Sequence, residues 1–180
     1  GATGKKYLEL IHRIDRATSG LVMISKKRST LKLVQDLLRE HKIQKTYAAI
    51  VKGQVSLDQQ LIDAPLFRYE LANGERRVRV SKEGKPSKTE WNVVERFKAA
   101  TLVHASPLSG RTHQIRVHGL SIGHPLIGDD KYGHSTAYAG PEARRLCLHA
   151  MRLQIPGYPT IEAPMPEDMQ QVLNELRKQK

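Results

Sequence analysis

Cysteine is almost absent. Cys147 is the only one among 180 residues, so no internal disulfide can form, and a reducing compartment, the cytoplasm, is expected. No apolar run approaches the roughly 18 residues that a membrane helix needs, and no secretory apolar segment opens the chain. The chain reads as soluble, with no membrane partner. Aromatic residues make up only 5%, too few for a platform that stacks many bases in a row. Acidic residues are also scarce: 18 Asp plus Glu stand against 30 Lys plus Arg, for a net charge of +12. A small protein so far from neutrality fits a polyanionic partner, RNA or DNA first. An acidic membrane surface would call for a basic amphipathic helix or a lipidation signal, and neither is evident. Folded RNA with one base handled specially fits the composition better. A Gly-rich phosphate loop, an internal repeat and a Ser/Pro-rich linker are all missing. ATP or NAD use therefore has no support, and residues 1–180 read as one domain.

What is present alternates between strand and helix patterns. Leu21 to Ile24 reads as a short buried strand, followed by a basic turn and a helix starting near Ser29. Leu31, Val34 and Leu38 form its packing stripe, with Leu33 and Leu37 beside them. Lys45 to Val51 alternates as a strand, with Tyr47, Ala49 and Val51 on one face and Ala48 and Ile50 on the other. Arg76 to Ser81 sets Arg77 and Arg79 against Val78 and Val80, a basic face that either contacts phosphate or is simply solvated. Trp91 to Phe97 and Thr101 to Ala105 read as a strand pair around Lys98 to Ala100, with Trp91 in the core. Pro166 to Lys180 reads as a packing helix with acidic residues in its first turn and a stripe of Met169, Val172, Leu173 and Leu176. Strands with short connections and no strict βαβ rhythm imply an α+β fold, with a mixed, mainly antiparallel sheet flanked by helices.

Two segments carry chemistry. In His12 to Gly20, Asp15 lies between Arg13 and Arg16 in a stretch that ends in Thr18, Ser19 and Gly20. Flanking cations favour an ionised carboxylate and turn-formers can present it, as a carboxylate nucleophile requires. The alternative is a turn cap or a surface ion pair. Gly110 to His118 packs Arg111, His113, Gln114, Arg116 and His118 into nine residues, a density that reads as a binding surface. The planar guanidinium of Arg116 is suited to orient a carboxylate such as Asp15, or the cluster could only clamp phosphate. His113, His118 and His124 are spaced onto different helix faces with no Cys or paired carboxylate to complete a tetrahedral set, so no metal is expected. His12 and His113 could alternatively serve as base and acid in metal-free RNA cleavage, which leaves Asp15 and Arg116 unused.

The strings HRIDRATSG (His12 to Gly20), KTYAAIVKG (Lys45 to Gly53) and GRTHQIRVHGLSIGHPLIGDDKYG (Gly110 to Gly133) closely resemble three signature blocks of the large-ribosomal-RNA and transfer-RNA pseudouridine synthases. The resemblance runs through almost the whole chain. It implies an isomerase that breaks the bond between ribose and uracil N1, turns the base and rejoins it through C5. Asp15 is then the nucleophile, acting on the ribose anomeric carbon or on C6. Tyr47 would lie against the target base and help remove the C5 proton, although alone it could be a sheet-packing aromatic. Arg116 would partner Asp15, Arg13 and Arg111 would steer phosphates, and His113 would join the substrate-binding set. Either Leu146 or Leu148 would wall the pocket. The isomerisation needs neither metal nor coenzyme; the resemblance implies an RNA partner, no protein partner is implied, and a monomer is expected. Relatives usually carry an N-terminal RNA-binding module and a strand with a Lys-Pro-x-Gly motif before the nucleophile loop. The chain is therefore expected to be a catalytic domain without them, whose turnover could be slow. An RNA-binding fragment without turnover remains the third reading.

Overall fold

The computed structural model describes residues 9–10 and 17–179. The segment with His12, Arg13 and Asp15 lies outside the described residues, so the expectations for Arg13 and Asp15 are carried forward as proposals. Three helices and eleven strands are described: β1 (Glu9–Leu10), β2 (Ser19–Gly20), β3 (Ile24–Ser25), α1 (Arg28–Arg39), β4 (Gln44–Lys52), β5 (Gln59–Asp63), β6 (Leu66–Glu70), β7 (Arg76–Val80), β8 (Lys88–Arg96), β9 (Ala100–Pro107), α2 (Gln114–Ser121), β10 (Leu148–Gln154), β11 (Ile161–Glu162) and α3 (Glu167–Lys178). The main sheet runs β11-β10-β4-β9-β8-β5, with β2 added alongside β10. Every pairing in it is antiparallel except that of β2 with β10. This is the mixed, mainly antiparallel α+β arrangement that the alternation of patterns predicts.

The two faces of β4 explain the layering. Tyr47, Ala49 and Val51 belong to one core cluster with Trp91, Val103, Ile115 and Leu126. Ala48 and Ile50 belong to a second, with Leu102 and the Met169, Val172, Leu173 and Leu176 stripe of α3. A strand covered on both sides loses its polar face, and Tyr47 to Val51 are all buried. Each large apolar side chain of the α3 stripe contributes about 1.5–3 kcal/mol by leaving water. Glu167 and Asp168 in its first turn and Arg177 and Lys178 in its last complement the helix dipole. α2 contributes Ile115 to the opposite face, so the sheet separates α3 from α2.

Several local expectations are corrected. Leu21 to Met23 form no strand; β3 begins at Ile24, which is exposed, while Met23 packs with Val34, Ile43 and Leu153. The chain leaves the sheet there: Leu21 N–H donates to Ala150 O, the last bond to β10. On α1, Leu31 and Val34 are buried and Leu37 and Leu38 pack beside them, but Leu33 is 52% exposed. Two residues beyond Leu31 is about 200° around a helix, so Leu33 points away from the stripe. On β7, Val78 is buried and Val80 exposed: the β6–β7 hairpin forms its own two-stranded sheet, and Val78 packs with Leu66 of β6 against Val117 of α2 and Tyr132. Trp91 is fully buried, as expected.

Gly20 has φ +112°, and a Cβ there would overlap the backbone of Ala150. β2 therefore lies against β10 only because residue 20 has no side chain. Gly20→Ala is expected to lower stability by about 2 kcal/mol or more, read as a drop in the urea midpoint; an unchanged midpoint would show that β2 docks without this close approach. Among the described residues, no helix is long and apolar enough to cross a membrane.

Candidate active site

On the α2 side of the sheet lies a cavity of about 520 Å³. Its floor comes from the sheet: Tyr47 of β4 and Leu148 of β10, which sit on neighbouring strands. Tyr47 reaches it because the buried alternation of β4 turns it to this face, opposite Ala105 of β9 and Ala150 of β10. One wall is the segment leading into α2, including Arg111 and His113. Another is the stretch from Leu38 to Lys45, where α1 hands over to β4. Thr18, one residue before β2, also lines it. Thr18 is buried, and among the described residues its hydroxyl finds no hydrogen-bond partner.

Strand register brings residues distant in sequence together: Gly20 pairs with Ala150 of β10, and Ala150 pairs with Tyr47 of β4. Ser19 is held to β10 by its hydroxyl, 2.8 Å from Nδ1 of His149, whose Nε2 lies 3.0 Å from Ala163 O. The end of the His12–Gly20 segment is thus fixed to β10, the strand next to the one that carries Tyr47.

The polar segment from residue 110 to 118 divides between cavity and scaffold. Arg111 is exposed at the rim, with Nε donating to Pro86 O at 3.3 Å. His113 has φ 54°, in the left-handed region, at the start of α2. A non-glycine residue held there stores strain of about 1–3 kcal/mol, which the surroundings must over-determine. Part of that hold is visible in Nδ1 of His113, 2.6 Å from the Tyr132 hydroxyl, which in turn accepts the Val78 N–H at 3.1 Å. Burial pushes the Tyr132 phenol up to about 12, so it stays neutral and donates at neutral pH.

His118 corrects the reading of the whole segment as a binding surface, and Gln114 both lines the cavity and serves the scaffold. The buried Gln114 amide donates to Lys88 O and Thr89 Oγ1 and accepts from Ser109 Oγ and Arg111 N–H, bolting the rim loop to β8. His118 is fully buried between Thr89 Oγ1 and Ala64 O, at 2.7 and 2.9 Å. Burial holds its pKa below the usual histidine value, as suits a neutral ring bridging two elements. His124 likewise turns Nδ1 to Lys52 O, 2.7 Å away.

Arg116 is buried on α2, and its Nε and Nη2 each donate to the Asp129 carboxylate at 2.8 Å. Its guanidinium also lies over the Tyr132 ring, 5.1 Å from the centroid. Both leucines are buried in the same core cluster, but of the two only Leu148 lines the cavity. Sequence reasoning missed Lys45 and Asp129. Lys45 is half-buried at the cavity edge, and desolvation lowers its pKa. Asp129 reads from sequence only as a turn residue, and no local pattern marks it as the partner of Arg116.

The comparisons with known proteins agree with this architecture. Residues 2–121 match the family model of RNA pseudouridylate synthases. The chain is 45% identical to ribosomal large subunit pseudouridine synthase C of Pasteurella multocida, over 97% of this chain and 56% of that protein. It is 47% identical to its Escherichia coli K12 counterpart, over 96% of this chain and 57% of that protein. The chain therefore spans a little over half the length of these relatives. Among solved structures, human RNA pseudouridylate synthase domain containing 1 superposes with a TM-score of 0.76 at 26% identity, covering 96% of this chain and 81% of its own. Human RNA pseudouridylate synthase domain containing 4 gives 0.78 at 25%, covering 94% and 76%. With the family model matching two thirds of its length and its fold shared with solved members, this chain belongs to the RNA pseudouridylate synthase family.

Proposed function

We propose that this chain isomerises uridine to pseudouridine in large-subunit ribosomal RNA, with Asp15 as nucleophile. The observation that carries the reading is that Tyr47, Leu148, Arg111 and His113, drawn from three separate sequence blocks, line one cavity beside the strand that ends the Asp15 segment. The names of the relatives from Pasteurella multocida and Escherichia coli supply the substrate class. Asp15 attacks the ribose C1′ or the uracil C6. In either case the N1–C1′ bond breaks, a C5–C1′ bond forms, C5 loses its proton and N1 gains one, so atoms and electrons balance without any co-reactant. Tyr47 lies against the flipped base and helps remove the C5 proton, Leu148 walls the base, and Arg116 orients the Asp15 carboxylate. Residues 1–180 act as a single catalytic domain, a monomer working in the cytoplasm.

Extruding a uridine from its stack costs a few kcal/mol, which phosphate contacts must offset. The net charge of +12 provides for this, and Arg13, Arg111 and the cavity-edge Lys45 are placed in the proposal as phosphate contacts. Arg111→Ala is expected to weaken RNA binding and reduce the salt dependence of log Kd by about one charge. An unchanged slope in filter binding across a salt series would remove Arg111 from that role.

The functional test is to incubate the chain with unmodified large-subunit RNA, treat with carbodiimide and map reverse-transcription stops. New stops at discrete uridines support the synthase, shortened RNA supports cleavage through His12 and His113, and binding without either supports an RNA-binding fragment.

A further inference from the structure

β2 is only two residues long and pairs with β10 in parallel register. So short a parallel ladder contributes little by itself. Its hold on the sheet is reinforced from the face away from the cavity. Leu148 lines the cavity, so His149, the next residue on β10, faces the other side; the same alternation turns Thr18 to the cavity and Ser19 towards His149. His149 is 3% exposed and uses both ring nitrogens. The Ala163 carbonyl can only accept, so Nε2 carries the proton that it donates there, at 3.0 Å. Nδ1 in that tautomer is the acceptor for the Ser19 O–H at 2.8 Å. The bonds run one way, from Ser19 through the ring to the stretch after β11, and a buried ring with both nitrogens satisfied holds one orientation.

We infer that Ser19 and His149 are positioning residues for the isomerisation: their bond bolts the end of the nucleophile segment to β10 and so limits where the Asp15 carboxylate is carried relative to Tyr47 and Leu148. This rests on the functional reading above. Four residues of chain reach at most about 14 Å, so an anchor at Ser19 acts on residue 15 through the backbone alone. β10 is a suitable strand for the anchor, because its Leu148 lines the cavity and its Ala150 pairs with Tyr47. Neither Ser19 nor His149 is among the described residues that line the cavity, so the bolt acts on turnover rather than on RNA affinity.

Ser19→Ala is the informative change, because it removes the hydroxyl and leaves the backbone pairing of β2 in place. The expected result is a kcat about ten- to a hundredfold lower, the scale of misplacing a reacting group by up to about 1 Å, with the dissociation constant for a large-subunit RNA transcript unchanged. His149→Gln can still donate to Ala163 O but offers no acceptor at the Nδ1 position, and it should lower kcat to a similar degree. The double variant should be no slower than the slower single one, since the same bond is lost in all three. A folded Ser19→Ala with wild-type kcat overturns the inference, as does a double variant whose loss is the product of the two single losses. If the variants do not fold, the wild-type chain decides: ring ¹⁵N shifts of His149 that show a protonated Nε2 and an unprotonated, hydrogen-bonded Nδ1 support the bolt, and a protonated Nδ1 overturns it. Asp15→Asn run in parallel keeps the two questions apart. Retained turnover there sinks the functional reading, whereas lost turnover beside a fully active Ser19→Ala sinks only the bolt.

Discussion

Asp15→Asn should reduce pseudouridine formation by at least about 10³-fold while leaving RNA binding intact. The substitution keeps the shape and most of the hydrogen-bonding capacity of the side chain but removes the charge. A neutral amide oxygen is a poor nucleophile, and no covalent partner then replaces N1 at the sugar or adds to C6. Ser19 and Gly20 hold the end of this segment on β10 through contacts of their own. The thermal transition is therefore expected within a degree or two of wild type. Carbodiimide-dependent stops scored against time give the rate, and filter binding gives the affinity. Turnover within tenfold of wild type would show that the nucleophile lies elsewhere, and would reopen the acid–base role of His12 and His113.

Removing Arg116 should be costly in two separate ways. Arg116→Ala leaves the fully buried Asp129 carboxylate without its cationic partner. Breaking a buried pair from one side costs about 3–5 kcal/mol, a large fraction of the roughly 5–15 kcal/mol that holds a domain together. It also removes the packing of the guanidinium over Tyr132, and with it support for the strained His113 backbone. The urea midpoint should fall steeply, and turnover should be lost even under conditions where the variant is still folded. Arg116→Lys keeps a positive charge near Asp129 but cannot pair side-on, so it should recover much of the stability and little of the activity. Equal recovery of both would mean that Arg116 contributes charge alone and does not orient a carboxylate.

The outcome along β4 and α2 shows where pattern reading succeeds. β4 alternates by two, and its two faces meet two different core clusters, so the division of Tyr47, Ala49 and Val51 from Ala48 and Ile50 was legible from spacing. The α3 stripe was legible for the same reason, because one side of that helix faces water and the periodicity survives. α2 carries no such signal. Gln114 to Gly119 are all buried, and a helix covered on every side has no polar face to betray its orientation. Its polar residues therefore looked alike in the sequence, although two of them serve the scaffold.

By itself the sequence determined the α+β class, the basic character, the family blocks and the set of residues from which a site would be built. Tertiary structure alone decided that Leu148 rather than Leu146 lines the cavity, that Gln114 and His118 are bolts, and that Arg116 pairs with Asp129. The physical reason is range. Strand and helix periods are set by neighbours a few residues apart, whereas a buried polar group is assigned its role by whichever distant group satisfies it, and that partner is chosen only when the elements pack.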